Sequence, residues 1–256
     1  MKNLLWVSLL FCFYLPHAQA QVNQDVMVLA EEWPPISFIE DDHHKGYAVE
    51  LVEQLQSRLG EQGKVIFLPW ARAQQIGRSK PNTLIVAMAK NNVRLQHHIF
   101  LGPIAQGNMI LLTRADNDTS FNSLEQVKQL GTIGVYRDGA CEHYLRENGF
   151  TDLSVASFPK QTLQQLIKSR IRFWCQADLG IHYTFKKLGE DPTQVKSALH
   201  IKPLVLYFAF SKSTSSQVVQ KWHQALSEYK TTEDYRHLYK KWFNDNPVPM
   251  NTQVYQ

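Results

Sequence analysis

The sequence predicts an α/β protein whose two lobes are joined by two crossing strands, with a central cleft between the lobes. Apolar runs with the length and β-branched content of buried strands alternate along the chain with amphipathic helical segments. Two strand-like runs, residues 108–113 and 203–212, are the candidate crossings. We therefore assign residues 21–108 to a first lobe, 109–204 to a second lobe, and 205–256 to the return into the first lobe and a C-terminal tail.

The first 20 residues have the three parts of a secretory signal peptide. Lys2 supplies a positive charge, residues 4–15 are almost wholly apolar, and Ala18 and Ala20 form a small-residue cleavage site. The apolar run is shorter than the roughly 20 residues that span a bilayer, and no other stretch is long and apolar enough. We expect cleavage after Ala20 and export of a soluble protein.

Composition places the chain among ordinary globular proteins. Its 256 residues are 44% hydrophobic and 20% charged, and the net charge is +4. That charge is small and scattered, with no basic run, so nothing indicates binding to nucleic acid. No metalloprotease motif, serine-hydrolase motif or zinc-ligand spacing is present, and we expect neither a metal nor a cofactor.

The first lobe begins with a strand predicted over residues 26–29, followed by a loop that two prolines keep extended. A helix follows Gly46, because apolar residues recur on one face from Ala48 to Leu59, and Gly60 then ends it. Further strands are predicted over residues 64–68 and 84–87, with a helix after Pro69 between them.

The second lobe is predicted to contain a strand over residues 131–136, a helix over 141–147 and a strand near 173–177. After the return crossing, apolar residues at helical spacing predict two helices that end near Phe243. The tail beyond Asn244 is expected to be loose.

Residues 82–100 contain the strongest candidate for a binding site. The run 84–87 is a short buried strand, a polar turn follows at Lys90 and Asn91, and Arg94 lies just beyond. A cation directly after the carboxyl end of a sheet strand is typical of a ligand-binding edge. Spacing alone fits a surface arginine equally well.

Several short patterns resemble the family 3 extracellular solute-binding proteins of bacterial ABC importers, of the amino-acid-binding type. They are the strand, turn and arginine ending at Arg94, the loop aromatic Trp33 before the Gly46-Tyr47 pair, and the returning strand that ends at Lys212. A final Tyr-x-Lys-Trp-Phe pattern closes the match at residue 243.

This resemblance implies a type II periplasmic binding protein-like fold, a periplasmic location and a small-molecule ligand in the cleft. It also implies a membrane partner, either an ABC permease or a sensor, and we expect the protein itself to be a monomer.

In the first lobe, the resemblance implies that Arg94 clamps a ligand carboxylate and that Trp33 and Trp70 pack against the ligand body. A tryptophan packed on the lobe surface is the alternative for Trp33. Arg72, a short step into the helix, is a further candidate, although an exposed helical arginine fits it equally well. Ala89 stands where amino-acid binders usually place a threonine. The lost hydroxyl weakens the expectation of an α-amino acid.

In the second lobe, the loop between a strand and a helix exposes backbone N–H groups that favour an anion. The candidate residues of this loop are Arg137, Gly139, Ala140 and Cys141. The resemblance also implies an acid that pairs with a ligand ammonium. Ala177 occupies that position and Asp178 lies one residue later, so Asp178, Gln176 and Glu32 are all candidates.

Two cysteines remain after removal of the signal peptide, Cys141 and Cys175. Exported proteins commonly oxidise such pairs. The resemblance brings the strand of Cys175 to the cleft face where Cys141 lies, so a disulfide is expected. Two free buried thiols are the alternative.

The function implied is a receptor that closes like a hinge around its ligand and performs no chemistry. An enzyme on the same scaffold, such as a cyclohexadienyl dehydratase, is the first alternative. Its available acids and bases would be Glu31, Glu32, His97 and His98, and none forms a recognisable catalytic pair. A sensory receptor for a membrane partner is the second alternative.

Overall fold

Two antiparallel strands of 17 residues each, His98–Arg114 and Val195–Ser211, run from one lobe to the other. They pair along their whole length, from His98 with Ser211 to Arg114 with Val195. Helices and further strands lie at both ends of this ribbon. The predicted fold class is therefore confirmed: an α/β protein of two lobes with two crossing strands and a cleft between the lobes.

The computed structural model describes residues 25–118, 121–244 and 246–256. The predicted signal peptide lies outside these residues. Within them, no helix has the length and apolar character needed to cross a membrane.

The first part of the first lobe is built from parallel strands, one hairpin and three helices. Its elements are β1 (Met27–Ala30), β2 (Phe38–Glu40), β3 (His43–Lys45), α1 (Tyr47–Leu59), β4 (Val65–Phe67), α2 (Trp70–Ser79), β5 (Thr83–Ala89) and α3 (Asn92–Leu95). The first crossing strand, β6 (His98–Arg114), follows. The β2–β3 hairpin lies just before the helix that follows Gly46, where the sequence predicted no strand.

The second lobe and the return follow the same alternation. The elements are β7 (Ile133–Tyr136), α4 (Ala140–Glu147), β8 (Leu153–Ala156), α5 (Pro159–Ile167), β9 (Phe173–Ala177), α6 (Ile181–Leu188), β10 (Val195–Ser211), α7 (Ser216–Lys230), α8 (Glu233–Phe243) and β11 (Gln253–Tyr255). Short 3-10 turns lie at Glu125–Val127, Asp178–Gly180 and Pro192–Gln194.

Strand order determines where a site can form. The main sheet runs β4-β1-β5-β10-β6-β9-β7-β8, and β11 pairs with β6. In the first lobe β1 is parallel to β4 and β5, and in the second lobe β7 is parallel to β8 and β9. Loops after the carboxyl ends of parallel strands form the crevice of α/β sheets. The ends of β1, β5, β7 and β9 are therefore where a ligand cleft is expected.

Helix α1 shows how local sequence sets an element of the first lobe. Its apolar face, which includes Ala48, Leu51, Val52 and Leu55, is fully buried. Gly60 ends the helix in the left-handed conformation at φ 70°. At its first turn, Tyr47 packs against Tyr239 and Phe243 of α8 and donates a hydrogen bond to the carbonyl of Ile104 at 2.7 Å.

The C-terminal segment is ordered into the sheet, so the expectation of a loose tail was wrong. Strand β11 pairs with β6 from Gly102 to Phe100. The buried ammonium of Lys230 donates to the carbonyls of Pro103 at 2.6 Å and Asn251 at 2.7 Å. A buried ammonium requires acceptors, and the tail supplies one of them. This long-range need leaves no local pattern in the tail sequence.

The two glycines that flank α1 differ in what a side chain would meet. At Gly46, with φ 119°, an added Cβ would lie 2.6 Å from the carbonyl oxygen of Ile36. At Gly60, with φ 70°, nothing lies within 4 Å. We expect Gly46→Ala to destabilise the protein by about 3 kcal/mol, because strain and overlap add. Gly60→Ala should cost about 1 kcal/mol, from backbone conformation alone. Urea unfolding of both variants tests this, and equal losses would contradict it.

Candidate functional site

A cavity lies between the lobes, at the carboxyl ends of β1, β5, β7 and β9. Its volume is about 60 Å³. The lining residues are Glu31, Trp33, Trp70, Ala87, Met88, Ala89, Arg94, Met109, Tyr136, Gly139, Ala140, Cys141, Pro159, Cys175, Gln176, Ala177, Leu204 and Leu206. Pockets that hold drug-sized ligands measure about 300–1,000 Å³. The cavity is therefore small, and side chains of both lobes meet around it.

Arg94 supplies the positive charge of this cavity. The Asn91 side chain accepts a hydrogen bond from the Arg94 backbone N–H at 2.8 Å and so starts the single-turn helix α3. The Arg94 side chain is only 2% exposed. Burial lowers the pKa of Arg94 to about 10, so the guanidinium remains cationic at neutral pH.

The guanidinium of Arg94 contacts both lobes. Its Nη1 donates to the carbonyl of Ala89 at 2.8 Å, and its Nη2 donates to the carbonyl of Asp138 at 2.6 Å. Its Nε is buried and has no hydrogen-bond partner among the described residues. The Nε–H, and the second N–H of each Nη, therefore remain for an acceptor from a ligand.

Two tryptophans of the first lobe line the cavity, and one of them packs against the guanidinium. The ring of Trp70, the first residue of α2, lies 5.4 Å from the Arg94 guanidinium carbon, and its Nε1 donates to the Asp138 carbonyl at 3.1 Å. Trp33 is half-buried in the loop after β1, where its backbone N–H donates to the carbonyl of Ser37 at 2.7 Å. Its ring nitrogen lies beside Gly180 of the second lobe, where an added Cβ would sit 3.0 Å away.

The turn after β7 closes the second lobe onto the first. Asp138 has a positive φ of 54°, a conformation that Asn and Asp tolerate. Its backbone N–H donates to the Glu142 carboxylate at 2.7 Å, and its carbonyl receives the hydrogen bonds from Arg94 and Trp70. A backbone oxygen of one lobe thus joins two side chains of the other.

A second contact across the cavity joins Glu31 to Tyr136. The hydroxyl of Tyr136 donates to Glu31 Oε2 at 2.6 Å. Glu31 is half-buried and lines the cavity. Burial raises the pKa of Glu31 to about 7, and the Tyr136 hydrogen bond and the Arg94 charge oppose that rise.

A disulfide forms part of the second-lobe wall. Cys141 in the first turn of α4 and Cys175 on β9 are bonded, with their Cα atoms 5.9 Å apart. Both residues line the cavity. The bridge fixes the start of α4 against β9 and so holds the turn at Asp138 in place.

The family model for bacterial extracellular solute-binding proteins, family 3, matches residues 26–245, which is most of the chain. The chain belongs to this family. The resemblance inferred from short patterns is thereby confirmed, and the protein is a solute-binding protein.

Solved structures share the fold of this solute-binding protein. A histidine kinase sensor domain with similarity to periplasmic binding proteins gives a TM-score of 0.78 at 19% identity, covering 85% of this chain and 96% of that one. The arginine-, lysine-, histidine-binding protein ArtJ of Geobacillus stearothermophilus gives a TM-score of 0.76 at 15% identity; the match covers 87% of this chain and 97% of that one. An ancestral arginine-binding protein bound to glutamine gives a TM-score of 0.73 at 19% identity, and the match covers 87% of this chain and 99% of that one. No curated protein sequence matches the chain.

The structure brings most of the predicted site residues of this solute-binding protein together in the cavity. Those that line it are Trp33, Trp70, Ala89, Arg94, Gly139, Ala140, Cys141 and Gln176. The Gln176 side-chain oxygen accepts from the backbone N–H of Ala177 at 2.9 Å, which leaves its amide nitrogen as the available donor.

Two arginines that the sequence offered as ligand-binding residues do not line the cavity. Arg72 is exposed on α2 and donates to the Gln75 side chain at 2.9 Å. It follows the buried Trp70 by two residues, which places it about 200° around the helix. Arg137 is also exposed. The group of this turn that reaches Arg94 is the backbone carbonyl of Asp138.

Asp178 is not among the lining residues either. Its two carboxylate oxygens accept from the backbone N–H of Asn108 at 2.9 Å and from the Asn108 side chain at 2.8 Å. It therefore ties the end of β9 to the crossing strand β6. Its neighbour Ala177, the last residue of β9, lines the cavity, whereas Asp178 begins the 3-10 turn that follows the strand.

Sequence reasoning gave no ligand-binding role to Glu31, Tyr136, Met88, Met109 or Leu204, which all line the cavity. Glu31 and Tyr136 could have been found, since one directly follows β1 and the other ends β7. Met109 and Leu204 lie on the crossing strands, where nothing in the local sequence distinguishes a cleft position from a core position.

The other acids and bases considered for an enzyme are Glu32, His97 and His98, and none of them lines the cavity. Glu32 is exposed and forms an ion pair with Lys187 of the second lobe. His98 is fully buried outside the cavity lining, and burial lowers its pKa to about 4, so it is neutral. His97 is half-buried and does not line the cavity either. In the part of the chain that the structure describes, no cluster of His, Cys, Asp and Glu could hold a metal ion.

The disulfide is expected to stabilise the second lobe. It closes a loop with a sequence separation of 34, for which chain entropy gives about 3–4 kcal/mol. Unfolding by urea with and without reductant, followed by tryptophan fluorescence, measures this contribution. The Cys141→Ser/Cys175→Ser variant is the control and should be insensitive to reductant. Superimposable wild-type curves in the two conditions would contradict the expectation.

Proposed function

We propose that this protein is a periplasmic receptor that captures a small carboxylate-bearing ligand, an amino acid or a related compound, for import by an ABC transporter. Membership in the solute-binding family and the fold of known amino-acid-binding proteins support the proposal. The capture requires no chemistry: the lobes close on the ligand through the two crossing strands, and the protein acts as a monomer.

The observation that carries this proposal is the state of Arg94. A guanidinium that is 2% exposed, with its Nε unpartnered, is costly unless something supplies a further acceptor. A ligand carboxylate supplies one, and its two oxygens match the planar fork of arginine. Trp70 and Trp33 then offer flat apolar faces to the rest of the ligand.

The walls of the cavity limit the ligand further. Most lining side chains are apolar, including Met88, Met109, Leu204 and Leu206. Ala89 offers no hydroxyl to a carboxylate, and Asp178 is already bonded to Asn108. The ligand is therefore held chiefly by Arg94, and its recognition differs from that expected for a standard amino-acid binder.

Sensing is the second candidate function. A histidine kinase sensor domain is among the structures with the same fold. In that role the closed form would be presented to a membrane-bound kinase instead of a permease. Neighbouring genes discriminate between the two roles: permease and ATPase genes favour import, and a gene for a membrane sensor favours signalling.

Replacing Arg94 tests the proposal. A charge-assisted hydrogen bond contributes roughly 1.5–3 kcal/mol, so Arg94→Ala should weaken the binding of a carboxylate ligand by about ten- to a hundredfold. Arg94→Lys should restore binding only in part, because an ammonium lacks the bidentate fork. A thermal-shift screen of amino acids, small organic acids and their carboxamides finds the ligand, and calorimetry measures its affinity.

Arg72→Ala is the matched control, since it removes an exposed arginine of the same lobe and should leave affinity unchanged. Circular dichroism melts verify that every variant is folded. A hit that binds equally well as its carboxamide, or one that Arg94→Ala binds as tightly as wild type, would refute the carboxylate anchor.

A further inference from the structure

A second and larger cavity lies beside the candidate ligand cavity, between the turn after β5, helix α4 and the crossing strand β10. Its volume is about 230 Å³, compared with about 60 Å³ for the ligand cavity. One water molecule needs about 10–15 Å³, so this space admits a small polyatomic ion together with waters. Its charged lining residues, which define what we call the basic pocket, are Lys90, Arg94, His143, Glu147 and Lys202.

Positive charge predominates in the basic pocket. Lys90 lies in the turn after β5 of the first lobe and Lys202 lies on the crossing strand β10, while Arg94 lines both cavities. Among the described residues that line the pocket, only Glu147 carries a carboxylate, and it is exposed at the end of α4. Three permanent cations therefore line a space with one carboxylate.

Aromatic rings hold the two lysines of the pocket. The Lys90 ammonium lies 3.2 Å from the ring centroid of Tyr255 and 5.4 Å from that of Tyr207. The Lys202 ammonium lies 4.7 Å from the ring centroid of Tyr144. Neither lysine forms an ion pair with a residue that the structure describes. An ammonium has three N–H donors, and contact with a ring leaves donors for an acceptor in the pocket.

Burial adds to the need for negative charge in this pocket. Lys90 is half-buried, and burial lowers its pKa with no neighbouring carboxylate to oppose the shift. Burial also lowers the pKa of His143 on α4, and the charge of Arg94 lowers it further, although three nearby carboxylates oppose both effects. His143 is therefore neutral at neutral pH and can donate one N–H to an acceptor. An oxyanion would satisfy both groups.

We propose that the basic pocket binds a small oxyanion of the class of inorganic phosphate, distinct from the ligand carboxylate at Arg94 in the neighbouring cavity. Phosphate offers acceptor oxygens in several directions, and lysine binds it as a point charge. Lys90 belongs to the first lobe, His143 to the second, and Lys202 to a strand that joins them. An anion held by all three binds the closed form better than the open form, so it acts as an effector that favours closure.

A second anionic group on an organic ligand would present the same chemistry to these lysines. The two cavities share lining residues, among them Ala89, Arg94 and Met109, so they lie next to each other. A free oxyanion and a distal group of the ligand are separated by an experiment that begins without any organic ligand.

The first measurement is calorimetric titration of the purified protein with inorganic phosphate, in chloride buffer at constant ionic strength. Wild type should bind phosphate saturably. Lys90→Gln and Lys202→Gln should each weaken that binding by about tenfold, because each removes one charge-assisted contact. Lys196→Gln is the matched control, since it removes an exposed lysine of the same strand β10 and should leave phosphate binding unchanged. Circular dichroism melts verify that each variant is folded.

The second measurement uses the tightest-binding member of the ligand panel, and it rests on the proposed function. If phosphate has a site of its own and favours closure, saturating phosphate should strengthen ligand binding several-fold. By reciprocity, the ligand should strengthen phosphate binding by the same factor. This coupling should disappear in Lys202→Gln and persist in Lys196→Gln.

Three results would overturn the basic pocket as an effector site. They are no saturable phosphate binding by wild type, equal phosphate binding by wild type and both pocket variants, and competition between phosphate and the ligand. The last result would place the anion in the ligand's own site. Failure of the proposed function is distinguishable, because phosphate alone would still bind through Lys90 and Lys202 while Arg94→Ala left ligand affinity unchanged.

Discussion

The buried charge of Arg94 is the constraint on which the closed cleft depends. Removing a guanidinium from water is costly, and the protein offsets this cost with carbonyls from both lobes, Ala89 of the first and Asp138 of the second. Trp70 packs under the cation and bonds to the same Asp138 oxygen. Any change in the distance between the lobes therefore changes the surroundings of one charge. Under the proposed function, ligand binding and lobe closure are coupled through that charge.

The sheet explains why such a charge can lie between two lobes. Strands β6 and β10 pass through both lobes and pair throughout, so the lobes form ends of one sheet instead of separate domains. The carboxyl ends of β5 and β7 then face each other across the ribbon, and the loops that follow them carry Arg94 and Asp138. The bond between Asp178 and Asn108 fastens β9 to the same ribbon. The candidate site thus lies where the two lobes meet.

Local patterns in the sequence were sufficient for most of the fold and for about half of the residues that line the candidate site. Arg94 and Trp70 each follow a strand directly, so their positions depend on short-range geometry. The direction of a side chain was harder to predict from the sequence. Arg72 lies on another face of α2, and Asp178 lies one residue after Ala177, the last β9 residue that lines the cavity. The pairing of Glu31 with Tyr136 joins residues 105 positions apart, and the docking of β11 depends on the buried Lys230. Such long-range contacts leave no periodic signal.

A crystal structure with the tightest-binding member of the ligand panel tests the central claim most directly. The account predicts that both carboxylate oxygens of the ligand lie about 3 Å from nitrogens of the Arg94 guanidinium, with the ligand body beside Trp70. A carboxylate bound elsewhere, with the Arg94 guanidinium still bonded only to the carbonyls of Ala89 and Asp138, would contradict it.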